Sequence, residues 1–397
     1  MNTVELKPGI HWVGAIDWDL RNFHGYLTQR GTTYNAYLIM DEKVALVDTV
    51  KHYKFDDMLA RVRELVDPAD IDYIVSNHVE MDHSGSITKL KELAPNAKVI
   101  TSVQGEKGLR RHYKVDLDYQ VVQSGETLSL GKRTLAFVHV PMVHWPDSMV
   151  TYIPEERLLL PNDAFGQHIA THERFDDEVG WDIVREEASK YYGNIVMPYG
   201  EQVKKALEAL GGLDIDMIGP SHGLILRSYI PRMLAEYVKW SDHQTEPRAV
   251  IIYDTMWGST EKVAYALYEG LVDGGVPVTM CNLKANHISD IMTEVHRCRA
   301  VLIGSATLNN QVLPTVSKMM TYMRGLRPRK RIGMAFGSYG WAPRVVKDIE
   351  ALMDDLKWDR PLESINVNYI PDEAELEQVK ERGRQLAGAI KGGGTDG

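Results

Sequence analysis

Four side chains that could bind metal stand within six residues of one another: His78, Glu80, Asp82 and His83. The apolar run Ile71–Val75 comes just before them and predicts a buried strand. The four residues then lie on the loop at its end, where α/β folds place their chemistry. Oxygen donors suit harder cations, and two histidines with one carboxylate form a set that binds non-haem iron. The pattern H-x-E-x-D-H therefore predicts a metal site, with iron as the metal.

Three more candidate ligands follow apolar runs further along the chain, namely His144, Asp163 and His222. A single histidine after a strand usually caps or packs, so none of the three is informative alone. As a set, their order resembles the one with which the metallo-β-lactamase fold assembles two adjacent metal sites. This resemblance implies His78, Glu80 and His144 for one metal, Asp82, His83 and His222 for the other, and Asp163 as the bridge. Three carboxylates against two divalent ions leave a small net charge, which a buried site tolerates. The alternative, a solvated acidic loop, does not explain the downstream residues.

A second set of candidates lies in three loops of the C-terminal half. The first loop leads from a strand into a helix and offers the hydroxyls and N–H groups that bind phosphate, although an ordinary Ser/Thr helix cap is the alternative. Loops after later strands meet it where doubly wound sheets bind their ligands. Since no G-x-G-x-x-G is present, FMN is predicted rather than a dinucleotide. The candidates are Thr255, Met256, Trp257, Gly258, Ser259, Thr260, Ser305, Thr307, Leu308, Asn309, Ser338, Tyr339, Gly340 and Trp341.

The elements that must position these residues change character near residue 245. Before it, short β-rich runs such as Ile10–Ile16 and Tyr34–Met40 alternate with a few helices, which predicts an αββα sandwich. The polar stretch Ser241–Arg248 is predicted to be a linker. After it, strands and helices alternate regularly, which predicts a doubly wound parallel sheet of about five strands, the flavodoxin-like order being one option. The predicted domains are residues 1–245 and 249–393.

Bulk composition excludes several classes of function. The net charge of −10 over 397 residues argues against nucleic-acid binding, which needs a positive surface. No apolar run is long enough for a membrane helix, and the start of the chain lacks a signal-like apolar core. Two cysteines, Cys281 and Cys298, cannot hold an iron–sulfur or rubredoxin-type centre, which needs four thiolates. A cytoplasmic location is therefore expected.

These motifs together resemble those of the flavodiiron proteins, a family of oxygen and nitric oxide reductases. The resemblance covers essentially the whole chain and rests also on the segments His24–Tyr26, Arg30–Tyr37, His144–Met149 and Asp254–Trp257. It implies a metallo-β-lactamase-like αββα diiron domain followed by a flavodoxin-like FMN domain. The zinc hydrolases of the metallo-β-lactamase superfamily carry H-x-H-x-D-H where this chain has Glu80, so one imidazole is replaced by a carboxylate.

The resemblance also implies an activity and its partners. Dioxygen would be reduced to water with four electrons, nitric oxide to nitrous oxide, or both, at two non-haem irons fed by FMN. His24, Tyr26 and Tyr192, or its neighbour Tyr191, would lie near the open metal face and supply protons. In some members the residue at His83 is displaced from the metal. A head-to-tail homodimer or a dimer of dimers is implied, with rubredoxin or a reduced deazaflavin as the external electron donor.

Two other functions stay open at this point. A dinuclear zinc hydrolase fused to a flavodoxin domain is the main alternative, and Glu80 in place of a histidine argues against it. The bulky pair His24 and Tyr26 near the expected substrate face argues against it as well. A pure electron carrier with a vestigial metal site is the other, but such a site would have lost at least one ligand. Metal and flavin content would separate the three functions.

Overall fold

The computed structural model describes residues 2–392, which form two compact units. The first unit contains the residues up to His24, with Thr28–Tyr191 and Tyr199–Ser241. The second contains the residues from Asp242 on, together with Gly25–Leu27 and Tyr192–Pro198. The sequence predicted contiguous domains, 1–245 and 249–393, so the two short segments that cluster with the second unit were not anticipated. Residue 393 lies outside the described residues.

Strands and helices over the first 241 residues give the first unit its layers. The strands are β1 (Val4–Lys7), β2 (Ile10–Trp12), β3 (Ala15–Asp17), β4 (Asn22–Phe23), β5 (Tyr26–Leu27), β6 (Thr32–Tyr34), β7 (Tyr37–Ile39), β8 (Val44–Val47), β9 (Ile71–Val75), β10 (Lys98–Thr101), β11 (Tyr119–Val121), β12 (Thr127–Ser129), β13 (Thr134–His139), β14 (Met149–Ile153), β15 (Leu158–Asn162) and β16 (Met217–Pro220). The helices are α1 (Phe55–Leu65), α2 (Met81–Ser84), α3 (Ile87–Leu93), α4 (Val103–Tyr113), α5 (Asp176–Val179), α6 (Trp181–Tyr191), α7 (Gly200–Leu210) and α8 (Ile230–Ser241).

Two sheets pack face to face in this unit. One has the order β1-β2-β7-β8-β9-β10-β11 and the other the order β12-β13-β14-β15-β16. Along β7, Tyr37 and Ile39 join the core that also holds Phe137 and Leu160 of the other sheet. Leu38, between them, joins the separate core that includes residues of α1 and α3. This alternation is the period of two expected of a strand covered on both faces, and it confirms the predicted αββα sandwich.

Two predicted strands are each broken in two. Ile10–Ile16 divides into β2 and β3, and the second run, predicted as Tyr34–Met40, divides into β6 and β7, with β3 pairing only with β6. At Gly14 an added Cβ would lie 2.2 Å from the carbonyl oxygen of Tyr34, so only glycine lets the two backbones approach so closely. The prediction of continuous strands was therefore wrong here. β3 and β6 form a separate two-stranded sheet, which carries Asp17 and Tyr34.

The second unit is a parallel sheet with the order β18-β17-β19-β20-β21. Its elements are β17 (Glu246–Tyr253), α9 (Ser259–Asp273), β18 (Val278–Asn282), α10 (Ile288–Arg297), β19 (Cys298–Ala306), α11 (Pro314–Leu326), β20 (Ile332–Tyr339), α12 (Val345–Asp355), β21 (Ile365–Asn368) and α13 (Glu373–Gly392). All neighbouring strands are parallel, so in chain order this is the 2-1-3-4-5 arrangement of flavodoxin-like sheets, as predicted.

The linker between the units is shorter than the polar stretch Ser241–Arg248 suggested. Ser241 is the last residue of α8, and Glu246 already pairs with Cys298 at the start of β17. The polar composition misled the prediction because these first residues of β17 are only partly buried, with the buried run beginning at Ala249. Within residues 2–392, none of the helices is long and apolar enough to cross a membrane.

Candidate metal centre and flavin site

All seven candidate metal ligands lie in segments that follow strands of the first unit. The loop after β9 carries His78 and Glu80 and runs directly into α2, which carries Asp82 and His83. His144 follows β13, Asp163 follows β15 and His222 follows β16. These loops come together in two groups of donor atoms, each group lying within 4.8 Å: His78, Glu80, His144 and Asp163 in one, and Asp82, His83 and His222 in the other.

The first group surrounds a carboxylate oxygen of Glu80. Nε2 of His78 and Nε2 of His144 both lie 3.4 Å from Oε2 of Glu80. Oδ2 of Asp163 lies 3.1 Å from Nε2 of His144 and 3.7 Å from Nε2 of His78. Two imidazoles and two carboxylates thus point at one position.

The second group uses the other oxygen of the same aspartate. Oδ1 of Asp163 lies 3.0 Å from Nε2 of His83 and 3.6 Å from Nε2 of His222. Asp82 completes the group, with Oδ2 3.2 Å from Nε2 of His222 and Oδ1 3.4 Å from Nε2 of His83. Each oxygen of Asp163 faces a different group, which is compatible with the predicted bridging role of this carboxylate. The assignment of individual ligands stays a prediction.

Unsatisfied polar atoms support metal ions at these positions. Within the described chain, both carboxylate oxygens of Asp82 and both ring nitrogens of His83 are buried without a hydrogen-bond partner. Leaving buried polar atoms unsatisfied is costly, so an arrangement of this kind needs a partner such as a cation. Nitrogen and carboxylate oxygen donors, with no thiolate among them, are the set that suits iron.

The electrostatics of the group are those of carboxylates and imidazoles that stabilise one another. Burial lowers the pKa of His83, but Asp82 and Asp163 outweigh burial and raise it to about 9. Burial also lowers the pKa of His144, but hydrogen bonds to Asp163 and Glu80 outweigh burial and raise it to about 9. Burial raises the pKa of Glu80, yet hydrogen bonds from the surrounding imidazoles hold it well below its usual range. Protons therefore occupy the rings of His83 and His144 in the metal-free chain, and a metal would replace them.

Hydrogen bonds on the far side of two rings fix their orientation. Nδ1 of His78 lies 2.9 Å from Oδ2 of Asp147, and Nδ1 of His222 lies 2.7 Å from the carbonyl oxygen of Thr33. Each contact leaves Nε2 to face the donor group, which is how metal-binding histidines are held. Asp147 belongs to the motif His144–Met149, but no role was predicted for it from sequence. Its position three residues after His144 was the available signal.

A buried carboxylate beneath the centre ties two of the ligand loops together. Asp48 accepts hydrogen bonds from the backbone N–H of Asn77 (2.9 Å), from the Asn77 side chain (3.2 Å) and from the Asn162 side chain (3.1 Å). Asn77 directly precedes His78, and Asn162 directly precedes Asp163. No role was predicted for Asp48 from sequence, although it directly follows the apolar strand β8.

The predicted catalytic residues are placed differently from one another. His24 lies in the first unit, where its Nε2 is 3.1 Å from Oε1 of Glu80, and this hydrogen bond raises its pKa. Tyr26 and Tyr192 are buried and belong to the second unit. The ring of Tyr191, in the first unit, lies 6.1 Å from that of His222. Of the two adjacent tyrosines left open by the sequence, Tyr191 is thus the one beside a candidate ligand in its own unit.

The three predicted flavin loops meet at a cavity in the second unit. Its volume is 690 Å³, and it lies at the carboxyl ends of β17, β19 and β20. Predicted residues along it are Thr255, Met256, Trp257, Ser259, Thr307, Asn309, Ser338, Tyr339, Gly340 and Trp341. The side chains of Trp257 and Trp341 are 94% and 89% exposed, as expected of rings that flank a ligand.

Four predicted flavin residues support this cavity without lining it. Gly258, at φ +89°, caps α9 and donates its N–H to Oγ1 of Thr255 (3.0 Å). Thr260 and Ser305 are fully buried. Leu308 follows Ser305 closely in the chain and forms an isolated β-bridge with Gln311. The prediction missed Tyr369 and Ile370, which line the cavity after β21, because the short polar strand Ile365–Asn368 was not recognised.

Comparison with known proteins assigns the family. The ODP family beta lactamase model matches residues 32–223, and the flavodoxin model matches residues 251–383. The chain is 34% identical to the flavodiiron protein of Giardia intestinalis and superposes on its crystal structure with a TM-score of 0.95, covering 99% of this chain and 97% of that one. The chain belongs to the flavodiiron protein family. The fold class and the family resemblance predicted from sequence are both confirmed.

Other flavodiiron proteins match over their whole length as well. The chain is 46% identical to a nitric oxide reductase of Moorella thermoacetica over 98% of both chains. It is 42% identical to the rubredoxin oxygen:oxidoreductase of Desulfovibrio gigas, whose structure it matches with a TM-score of 0.96 over 98% of this chain and 99% of that one. The region matched by the ODP family model contains all seven candidate ligands, and the flavodoxin region contains the three flavin loops.

Proposed function

We propose that this flavodiiron protein reduces dioxygen to water, nitric oxide to nitrous oxide, or both, at a pair of non-haem irons that receives electrons from FMN. The observation that carries the proposal is a buried donor set with Glu80 in place of an imidazole, in a chain that also has a flavin cavity. The names of its relatives, a nitric oxide reductase and a rubredoxin oxygen:oxidoreductase, support both substrates.

The donor set fits two iron ions. His78, Glu80 and His144 would hold one and Asp82, His83 and His222 the other, with Asp163 between them. When bound, two ferrous ions and one reduced FMN supply the four electrons that dioxygen reduction to water requires, and open coordination positions admit the small substrate. The residues of the chain hold these donors and control the access of protons and water.

Glu80 and His24 connect the donor group to solvent. The His24 side chain is 71% exposed, whereas that of Glu80 is 14% exposed, and Nε2 of His24 lies 3.1 Å from Oε1 of Glu80. A protonated His24 can therefore pass a proton from water to the vicinity of the substrate position through this hydrogen bond. The hydrogen bond to Glu80 raises the pKa of His24, which favours the protonated ring.

An aromatic wall limits the access of water on another side. Phe23 is 7% exposed, and its ring lies 4.3 Å from that of His24, 5.2 Å from that of His168 and 6.1 Å from that of His222. Tyr191 packs on His168 at 5.2 Å. A dry wall strengthens the electrostatic interactions of the donors it covers.

Electrons must reach the flavin from outside, and rubredoxin is the proposed donor, with a reduced deazaflavin as the second choice. The relative from Desulfovibrio gigas is named for rubredoxin. A head-to-tail homodimer, alone or paired into a tetramer, would place the flavin of one chain beside the irons of the other. Exposed apolar side chains around the flavin cavity support association at that surface, among them Trp257, Trp341 and Ile370. Two buried, unpaired cysteines support a cytoplasmic location.

The first experiment is to measure the iron, zinc and FMN contents of protein expressed with iron and without added zinc. Two irons and one FMN per chain, followed by consumption of dioxygen or nitric oxide with reduced rubredoxin, are expected. Oxygen and nitric oxide electrodes on one preparation give the preference between the substrates. Two zincs and no iron would overturn the proposal and favour the hydrolase.

A mixed dimer tests the head-to-tail arrangement. One chain carries H144A and H222A, which remove candidate ligands from both groups, and the other carries W257A and W341A, which remove the flanking rings. Each is given its own affinity tag, and the mixed species is isolated through both tags. Activity in the mixed dimer, with both single-variant homodimers inactive, is expected of head-to-tail pairing. An inactive mixed dimer whose intact sites keep their iron and FMN would contradict it.

A further inference from the structure

Tyr34 has a prominent place in the sequence motif Arg30–Tyr37, yet the proposed function gives it no task. It is completely buried on β6, and its ring lies 5.8 Å from that of His222, a candidate metal ligand. Tyrosine is one of the few side chains that can be reversibly oxidised by one electron, but it must lose its phenolic proton as it does so. A buried tyrosine beside a redox metal therefore needs a proton acceptor in order to be useful.

Asp17 and Tyr53 supply the acceptor and a route outward. The hydroxyl of Tyr34 lies 3.0 Å from that of Tyr53, and the two rings are 6.4 Å apart. Tyr53 donates a hydrogen bond of 2.6 Å to Oδ2 of Asp17, and Tyr34 is 3.5 Å from the same oxygen. Asp17 is 6% exposed, so its carboxylate is shielded from water and available to the two phenols. Tyr53 is 49% exposed and reaches the surface. An unbroken series of contacts thus runs from His222 to the surface.

We propose that Tyr34 and Tyr53 form a one-electron path from the candidate metal centre to the surface, with Asp17 as the proton acceptor. The path rests on the proposed function, since it operates when dioxygen reacts with a protein that holds fewer than four electrons. It would draw the missing electron from a renewable phenol and so spare the metal ligands from oxidation.

The electrons and protons of the path balance in three steps. Tyr34 gives one electron to the metal centre and its phenolic proton to Asp17. Tyr53 then gives a hydrogen atom, one electron with one proton, to Tyr34 across the 3.0 Å contact. Tyr53 is left as a neutral phenoxyl radical, and Asp17 is left protonated. A small one-electron reductant of the ascorbate or thiol class returns an electron to Tyr53 at the surface, and Asp17 returns the proton.

Radical spectroscopy on the loaded full-length protein tests the path. Protein with iron and FMN is reduced by three electrons per chain, mixed with dioxygen, frozen at successive times and examined by electron paramagnetic resonance. Ring-deuterated tyrosine identifies any tyrosyl signal. The variants are Y34F and Y53F, and the matched control is Y73F, which removes a partly buried tyrosine of β9. Consumption of dioxygen with excess donor is measured on the same samples.

The native protein and Y73F are expected to give a tyrosyl signal that ascorbate removes quickly. Y34F should give none, and Y53F should keep a signal on buried Tyr34 that ascorbate removes slowly. Repeated turnover should oxidise His222 faster in Y34F than in Y73F, as read by peptide mass spectrometry. An undiminished signal in Y34F, or a tryptophan radical instead (Trp145 lies 5.0 Å from His78), would overturn the path. So would native protein that consumes dioxygen normally and shows no radical, whereas native protein that consumes neither dioxygen nor nitric oxide refutes the proposed function.

Discussion

Asp147 binds the ring of His78 from the side away from the metal donors. Its Oδ2 lies 2.9 Å from Nδ1 of that ring and also accepts the backbone N–H of Val79 at 2.8 Å. Asp147 itself is held in place, because Ser102 donates a hydrogen bond to its carbonyl oxygen. The orientation of His78 thus depends on a carboxylate that is 5% exposed and does not face the donor group.

The variant D147N should bind iron more weakly by about 10- to 100-fold, as happens when the carboxylate behind a metal-binding histidine is lost. The asparagine can keep the shape but not the negative charge that sets the proton on Nδ1. Iron binding is measured by competition with a chelator. The control D116N removes an exposed aspartate and should bind iron like the native protein. Equal affinity in D147N would show that Asp147 does not position His78.

Asp48 should tolerate asparagine poorly although the backbone permits it. Its φ is +57°, a conformation that asparagine adopts readily, so D48N tests the hydrogen bonds alone. The asparagine side chain has one acceptor oxygen where aspartate has two, so it cannot accept all the hydrogen bonds from Asn77 and Asn162. The mismatch should lower the free energy of unfolding by about 1–3 kcal/mol. Chemical denaturation and iron content provide the measurement. D118N, exposed and at φ +56°, is the matched control. Unchanged stability in D48N would show that Asp48 does not hold the two ligand loops together.

Glu80 should determine which metal the centre prefers. The variant E80H gives the pattern H-x-H-x-D-H and should raise the ratio of bound zinc to iron, since imidazole suits zinc and carboxylate suits harder ions. Metal content is measured after growth with equal iron and zinc. E80Q lacks both the imidazole and the charge, and it should lose metal without gaining zinc. The same ratio in E80H and native protein would remove Glu80 as the determinant.

Gly258 should be needed for flavin binding because of its backbone conformation. An alanine there meets no atom within 4 Å, so its cost comes only from φ +89° and amounts to about 1–2 kcal/mol. When this conformational cost falls entirely on the FMN-bound state, it weakens the FMN affinity of G258A by roughly 5- to 30-fold. Quenching of flavin fluorescence on titration into FMN-free protein measures the affinity. G325A, also in open space but helical, is the control. Native affinity in G258A would show that the turn relaxes freely.

Glu187 should make stability depend on pH. Burial raises the pKa of Glu187 to about 7, although Lys190 and Arg30 act to lower it. Because the folded pKa lies above the unfolded one, the contribution is complete below about pH 4.5 and is lost as pH rises through 7. The melting temperature of E187Q minus that of native protein should therefore rise between these values, by an amount equivalent to about 3 kcal/mol. E186Q, exposed on the same helix, is the control. A difference that does not change with pH would contradict the shift.

Much of this organisation could be predicted because the relevant signals are local. A ligand that follows an apolar run, such as His78 after Ile71–Val75, can be predicted to lie at the end of a strand. Regular alternation of strands and helices after residue 245 fixed the flavodoxin-like class. Asp163 could likewise be picked out as a candidate because it directly follows the apolar run Leu158–Asn162, while its bridging role stays a prediction. In each case the pattern and the chemistry are readable within a short window of sequence.

What escaped prediction depends on contacts between distant residues. The break at Gly14 follows from the closeness of Tyr34, twenty positions away in the chain, and no local propensity records it. Asp48 gains its role only when Asn77 and Asn162 arrive from two other loops. The choice between Tyr191 and Tyr192 depends on the rotation at the end of α6, where a π-helix, Tyr192–Val196, begins. Adjacent identical residues cannot be distinguished without that rotation.

The spread of the donors along the chain has a consequence for biosynthesis. A ribosome makes His78 early, but His222 lies far beyond it, and neither donor group is complete without residues made late: Asp163 in one and His222 in the other. A nascent chain that ends before these residues carries clustered carboxylates and imidazoles with no finished site. With these predicted ligands, iron loading is expected only after most of the first unit has left the ribosome, and a truncated product is expected not to retain the metal pair.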